Sequence, residues 1–146
     1  MPSRFLSSLR RLVQSGILLG CLTTAGAGTS GSDLARFEAP FLTEAKSPAL
    51  AGYLKQFATT VEREWFTILQ ESGVRPPAGS HVTMHFTLST DGEVDVVGVD
   101  DAGTGRTGVW TCIEALQRQQ PYGKWTDEMI AAAGRNRTFS CTFYHR

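Results

Sequence analysis

The most chemically suggestive segment of the chain is Gly103-Thr104-Gly105-Arg106-Thr107-Gly108, a G-x-G-x-x-G run between an extended segment and a helical one. In a parallel βαβ unit such glycines let the backbone approach a dinucleotide pyrophosphate at a helix N-terminus. Here the preceding strand is half of an Asp91-Gly92 hairpin, hence antiparallel, and no second strand–helix unit exists, so the glycines read as loop residues. Asp95, Asp100 and Asp101 lack the D-x-D-x-D-G ligand spacing and the downstream bidentate glutamate of a calcium loop, and read as a solvated strand end. His81 and His85 share one strand face, but four residues of strand separate them by roughly 13 Å, too far to chelate one metal. Serine, histidine and aspartate are all present without a nucleophile-elbow sequence. Trp65, Trp110 and Trp125 could stack a ligand, the last two from either side of a groove; packing is the commoner role of such residues. Asn136-Arg137-Thr138 is a formal glycosylation sequon, a short pattern read as chance. The expectation is a non-enzyme with no cofactor and no metal.

The elements that would position these residues follow from periodicity. Ser47-Pro48 supplies an N-cap and a first-turn proline. Leu50, Tyr53, Leu54, Phe57, Val61, Trp65, Ile68 and Leu69 then recur at three- and four-residue spacing, which predicts a long amphipathic helix ending near Gly73 and Pro76-Pro77. The period switches to two at Val82, Met84, Phe86 and Leu88, and Asp91-Gly92 turns the chain into a return strand with Val94, Val96, Val97 and Val99. The alternation breaks at Val96-Val97, where a bulge is expected. Val109, Cys112, Ile113 and Leu116 form the apolar face of a second helix stopped by Pro121. Thr126 caps a short third helix ended by Gly134, and Arg137 to Tyr144 form a last strand with Phe139, Cys141 and Phe143 on one side. The expected fold is α+β: a two-layer sandwich with a three-stranded antiparallel sheet covered on one face by two amphipathic helices, in helix–hairpin–helix–strand order.

The N-terminus reads as a targeting segment. Arg4, Arg10 and Arg11, then Leu12, Val13, Ile17, Leu18 and Leu19, then small residues, give the layout of a secretory signal over residues 1–20. The apolar run is far shorter than the roughly 20 residues of a membrane-spanning helix. Leu18-Leu19-Gly20-Cys21 resembles the bacterial lipobox, which implies lipidation at Cys21; cleavage after Ala25-Gly26-Ala27 is the competing reading. Residues 21–46 then form a flexible tether and 47–146 the domain. The whole chain has 14 basic and 14 acidic residues; without the three arginines of the signal, 11 basic stand against 14 acidic. No basic patch recommends a nucleic acid or an anionic lipid surface as partner. Beyond Cys21, Cys112 and Cys141 both point into the layer between helix and sheet; they are either two buried thiols or a disulfide closing a loop of about 29 residues.

From Tyr53 onward the chain resembles the C-terminal domain shared by the TonB and TolA proteins of the Gram-negative envelope. The resemblance rests on the order and spacing of Tyr53, Val61 and Trp65, then Val82-Thr83-Met84-His85-Phe86-Thr87-Leu88, Asp91-Gly92-Glu93-Val94, Val97 and Val99, Ile113, Pro121-Tyr122-Gly123-Lys124-Trp125, and the aromatic last strand. It implies a periplasmic domain that binds envelope proteins, among them an outer-membrane transporter or its periplasmic segment, commonly by adding a partner's extended segment to a sheet edge. The last strand, with Arg137, Thr138, Ser140, Thr142 and Tyr144, is the expected contact edge, and a homodimer is compatible with it. Energy transducers of that family keep a membrane-spanning anchor and a long proline-rich spacer. Here the apolar segment is too short to span, and the tether reaches at most about 90 Å. The alternatives are therefore an accessory to outer-membrane transport, held to the membrane only by lipid, and a stand-alone ligand-binding or structural lipoprotein. A soluble periplasmic or secreted form follows if cleavage occurs after Ala27.

Overall fold

The computed structural model describes residues 35–146. The expected signal, the lipid site at Cys21, the cleavage point after Ala27 and the start of the tether lie outside the described residues. The chain runs β1 (Ala35–Glu38), a 3-10 turn (Pro40–Thr43), α1 (Pro48–Ser72), β2 (His81–Ser89), β3 (Val94–Ala102), α2 (Gly105–Gln117), α3 (Asp127–Ala133) and β4 (Asn136–His145). The four strands form one antiparallel sheet in the order β1-β4-β2-β3.

The local signals in the sequence act where expected. Ser47 accepts a hydrogen bond from the Leu50 amide, Pro48 opens α1, and Gly73 closes it in the left-handed conformation at φ 67°. Leu50, Leu54, Phe57, Val61, Trp65 and Ile68 form the buried stripe of α1. In β2 burial alternates without a break: Val82, Met84, Phe86 and Leu88 are fully enclosed while the intervening polar residues face outward. His85 pairs with Gly98 but Phe86 pairs with Val96, so Val97 is the extra residue of a bulge. Thr126 accepts from the Met129 amide to start α3. The core lies between the helices and the inner face of the sheet, where Cys141 and Phe143 of β4 meet Trp65 of α1 and Cys112 of α2.

The α+β class is as expected, but the sheet has four strands rather than three, and three helices accompany it. The additional strand comes from what the sequence presents as tether. Ala35 to Glu38 pair with His145 to Thr142, and Phe37 meets Phe143 at 5.0 Å between ring centroids. Phe41 in the 3-10 turn is 1% exposed, with the rings of Phe139, Phe86 and Phe57 at 5.3, 6.0 and 6.1 Å. A four-residue strand has too few positions to show a period; it exists because β4 offers it a hydrogen-bonding edge. The glycine-rich loop is likewise shorter than expected, since α2 begins at Gly105.

Candidate functional site

The fourth strand moves the free edge. Expected at the rim, β4 instead lies between β1 and β2, with Asn136 to Tyr144 paired to β2 and Thr142 to His145 paired to β1. The 3-10 turn packs against β4 alongside β1, through Phe41 on Phe139. Of the five residues assigned to the contact edge, Thr142 and Tyr144 lie opposite β1, and all five side chains have partners within the domain. Arg137 points to the helix side, pairs with Glu44 at 3.4 Å and covers the Phe139 ring. Thr138 bonds Thr87 (3.3 Å), Ser140 bonds His85 (2.7 Å) and Thr142 bonds Thr83 (2.9 Å), all across to β2 on the outer face. Tyr144 lies between Arg36, whose guanidinium is 4.6 Å from the ring centre, and His81, 5.3 Å ring to ring. Alternation along β4 reveals which side chains face the core, but not which strands flank it.

The long unpaired rim is β3. Eight of its nine residues pair with β2, all but the bulge residue Val97, and no strand lies on its other side; the Val94 amide donates to Gln120 Oε1 at 3.0 Å. Val97 is 57% exposed at the bulge and Val99 is 39% exposed; Trp110, on the outer flank of α2, is 48% exposed. These three are the large apolar side chains most open to solvent among the described residues, with Leu42 next. Acidic side chains punctuate the same strand at Asp95, Asp100 and Asp101. A bulge and interspersed charge are the devices by which an edge strand avoids indiscriminate pairing.

Asp101 also has a local task. Its carboxylate accepts from the Thr104 amide (2.8 Å), the Thr104 hydroxyl and the Gly105 amide (3.1 Å), closing the N-terminus of α2. The Thr104 hydroxyl and amide hold its pKa below the ordinary 3.8. The strand-end aspartate is thus a helix cap, and its three-residue spacing from Thr104 is the sequence signal for that role. The glycines beyond it serve the turn and the packing. Gly108 is buried, and a Cβ there would meet the Thr104 side chain at 2.8 Å. All strand pairs are antiparallel, so the phosphate-cradling geometry of a βαβ unit is absent among the described residues.

Cys112 and Cys141 are free and buried, so the disulfide alternative is not the form seen. Burial pushes the Cys112 thiol up to about 12 and the Cys141 thiol well above its ordinary 9.0, which makes both poor nucleophiles. The tryptophan groove does not form either: Trp125 is 6% exposed, edge-on to Tyr53 at 6.0 Å, whereas Trp110 faces solvent from α2. No group of three or more His, Cys, Asp or Glu side chains among the described residues could hold a metal ion. No helix among them is long and apolar enough to cross a membrane.

No protein-family model, no curated protein and no solved structure matches the chain.

Proposed function

We propose that the domain is a protein-binding module of the bacterial envelope, of the kind the TonB and TolA C-terminal domains represent, and that it takes up an extended segment of its partner along β3. One observation carries the reading: a nine-residue edge strand unpaired on its outer side, with exposed Val97 and Val99 and a half-exposed Trp110 on the neighbouring helix. Main-chain hydrogen bonds along such an edge supply affinity, and alternate side chains of the added strand find the apolar positions. An outer-membrane transporter with a periplasmic segment is the partner class the resemblance suggests. The lipid anchor expected at Cys21 would hold the module at a membrane without spanning it.

The test is an affinity capture from envelope extract with the whole chain and with Val97→Pro. Proline is tolerated at edges and bulges, so this change should leave the fold intact while blocking strand addition. The expected result is a single transporter-type partner recovered by the native chain and lost with Val97→Pro. Equal recovery by both, or saturable binding of a small molecule with no protein partner, would contradict the proposal.

A further inference from the structure

The outer face of the sheet, opposite the helices, holds a hydrogen-bonded row that crosses three strands. Ser140 of β4 lies directly opposite His85 of β2, and its Oγ is 2.7 Å from Nδ1 of the imidazole. On the other side of the ring, Nε2 is 2.9 Å from Oδ2 of Asp100 on β3. The arrangement depends on Gly98, the β3 residue paired with His85. A Cβ there would come within 3.2 Å of His85 Cδ2 and 3.4 Å of its Cβ, so the glycine leaves the ring room to lie across β3 and reach Asp100.

The chemistry of the three groups fixes the proton positions. A carboxylate only accepts, so Nε2 carries the ring proton and donates to Asp100; Nδ1 is then the lone pair that accepts the Ser140 hydroxyl proton. Nucleophile, base and orienting carboxylate are therefore in register, with the base held by its third partner. The ring nitrogens are exchanged relative to the usual serine-hydrolase triad, and the roles are preserved. Two threonine pairs flank the row on the same face, Thr83–Thr142 and Thr87–Thr138. In each pair one hydroxyl donates to the other, and the pairs stand two residues along the strands on either side of the row.

We propose that Ser140 is a nucleophile that accepts acyl groups from activated carboxylic esters, with His85 as its base and Asp100 as the positioning residue. The Ser140 oxygen bonds to the acyl carbon, its proton passes to His85 Nδ1, and the ester C–O bond breaks. The leaving oxygen takes the proton from His85. Water then repeats the sequence, releasing the carboxylic acid and restoring Ser140. The site lies on a flat sheet face rather than in a cleft, which suits a small or extended ester. It shares β3 with the proposed docking rim through Gly98 and Asp100, while Ser140 and His85 lie on β4 and β2.

The experiment treats the whole chain with p-nitrophenyl acetate, follows p-nitrophenol release and locates the acetyl group by mass spectrometry. Acetyl-Ser140 is expected in the native chain. His85→Asn is expected to slow its formation by about 100-fold or more, the usual share of a general base. Gly98→Ala should slow it by displacing the ring, and Asp100→Ala should slow it by releasing the ring, with Asp100→Glu restoring the rate. These positions lie on the outer face, and unchanged circular dichroism and unfolding midpoint would verify that each variant folds. Acetylation confined to lysines, no adduct on the folded chain, or acetyl-Ser140 forming equally fast in His85→Asn would overturn the proposal.

Discussion

Substitution of Gly92 by alanine gives the sharpest stability test, because two separate effects meet at one atom. Gly92 sits at the tip of the β2–β3 hairpin with φ 82°, a region in which an L side chain costs about 1–2 kcal/mol. The tip is also buried under the connection between α2 and α3. Its carbonyl accepts from the Tyr122 amide at 2.8 Å, and Thr90 beside it accepts from the Trp125 amide at 2.8 Å. A Cβ on residue 92 would fall 2.5 Å from the Gly123 carbonyl oxygen and 2.6 Å from the Gly123 nitrogen, both backbone atoms that no rotamer change can move. The connection must lift away, and it takes with it these two bonds and the one from Tyr53 Oη to the Gly123 carbonyl (3.1 Å). At about 1 kcal/mol net for each of the three bonds lost, added to the conformational cost, the total is about 4–5 kcal/mol. Urea unfolding followed by tryptophan fluorescence would read this as a lowered midpoint with an unchanged slope. Gly73→Ala is the control: φ is 67° but a Cβ would meet nothing within 4 Å, so only the conformational cost of about 1–2 kcal/mol applies. Equal losses at the two positions, or a Gly92→Ala loss under about 1 kcal/mol, would refute the packing part of this reasoning.

Three further outcomes follow from the same structure. Phe41→Ala should destabilise the domain by about 3–5 kcal/mol in the same urea assay, as for other large core aromatics, whereas a tether residue would cost nothing measurable. The raised thiols of Cys112 and Cys141 make folding stability decline with alkalinity. The folded state retains these protons where the unfolded chain has released them, so stability is full below the ordinary 9.0 and falls as pH rises from there toward about 12; Cys112→Ser/Cys141→Ala should flatten the alkaline limb of a stability–pH curve. His145 acts on the acid side. Its ring is buried against Trp65 with Nε2 unpartnered, and burial lowers its pKa, so stability is full above the ordinary 6.5 and declines as pH falls below it. His145→Gln, measured between pH 7 and pH 5, should remove that decline.

Much of the fold is legible in local sequence because local chemistry specifies it. Ser47-Pro48 and Gly73 bound α1, Thr126 and Gly134 bound α3, and the broken alternation at Val96-Val97 marks the bulge. The caps are contacts within a few residues, and the bulge is written in the strand's own alternation. What eluded sequence reading depends on pairing between distant segments. β1 is a strand only because β4 has a free side at Thr142 to His145, and its presence covers that end of the expected edge. Ser140, His85 and Asp100 are separated by 55 and 15 residues in sequence, and only the register of three strands brings them into one row. Asp101 is an intermediate case: its spacing from Thr104 is a local cap signal, hidden beneath a more conspicuous run of glycines.

The central claim is that the β3 rim, not β4, receives a partner. Its most direct test is site-specific photocrosslinking in intact cells, with the photoreactive residue placed at position 97 on β3 and, separately, at position 142 on β4. The account predicts a discrete crosslinked envelope protein from position 97 and none from position 142. A crosslink from position 142 alone, or no protein adduct from either position, would contradict it.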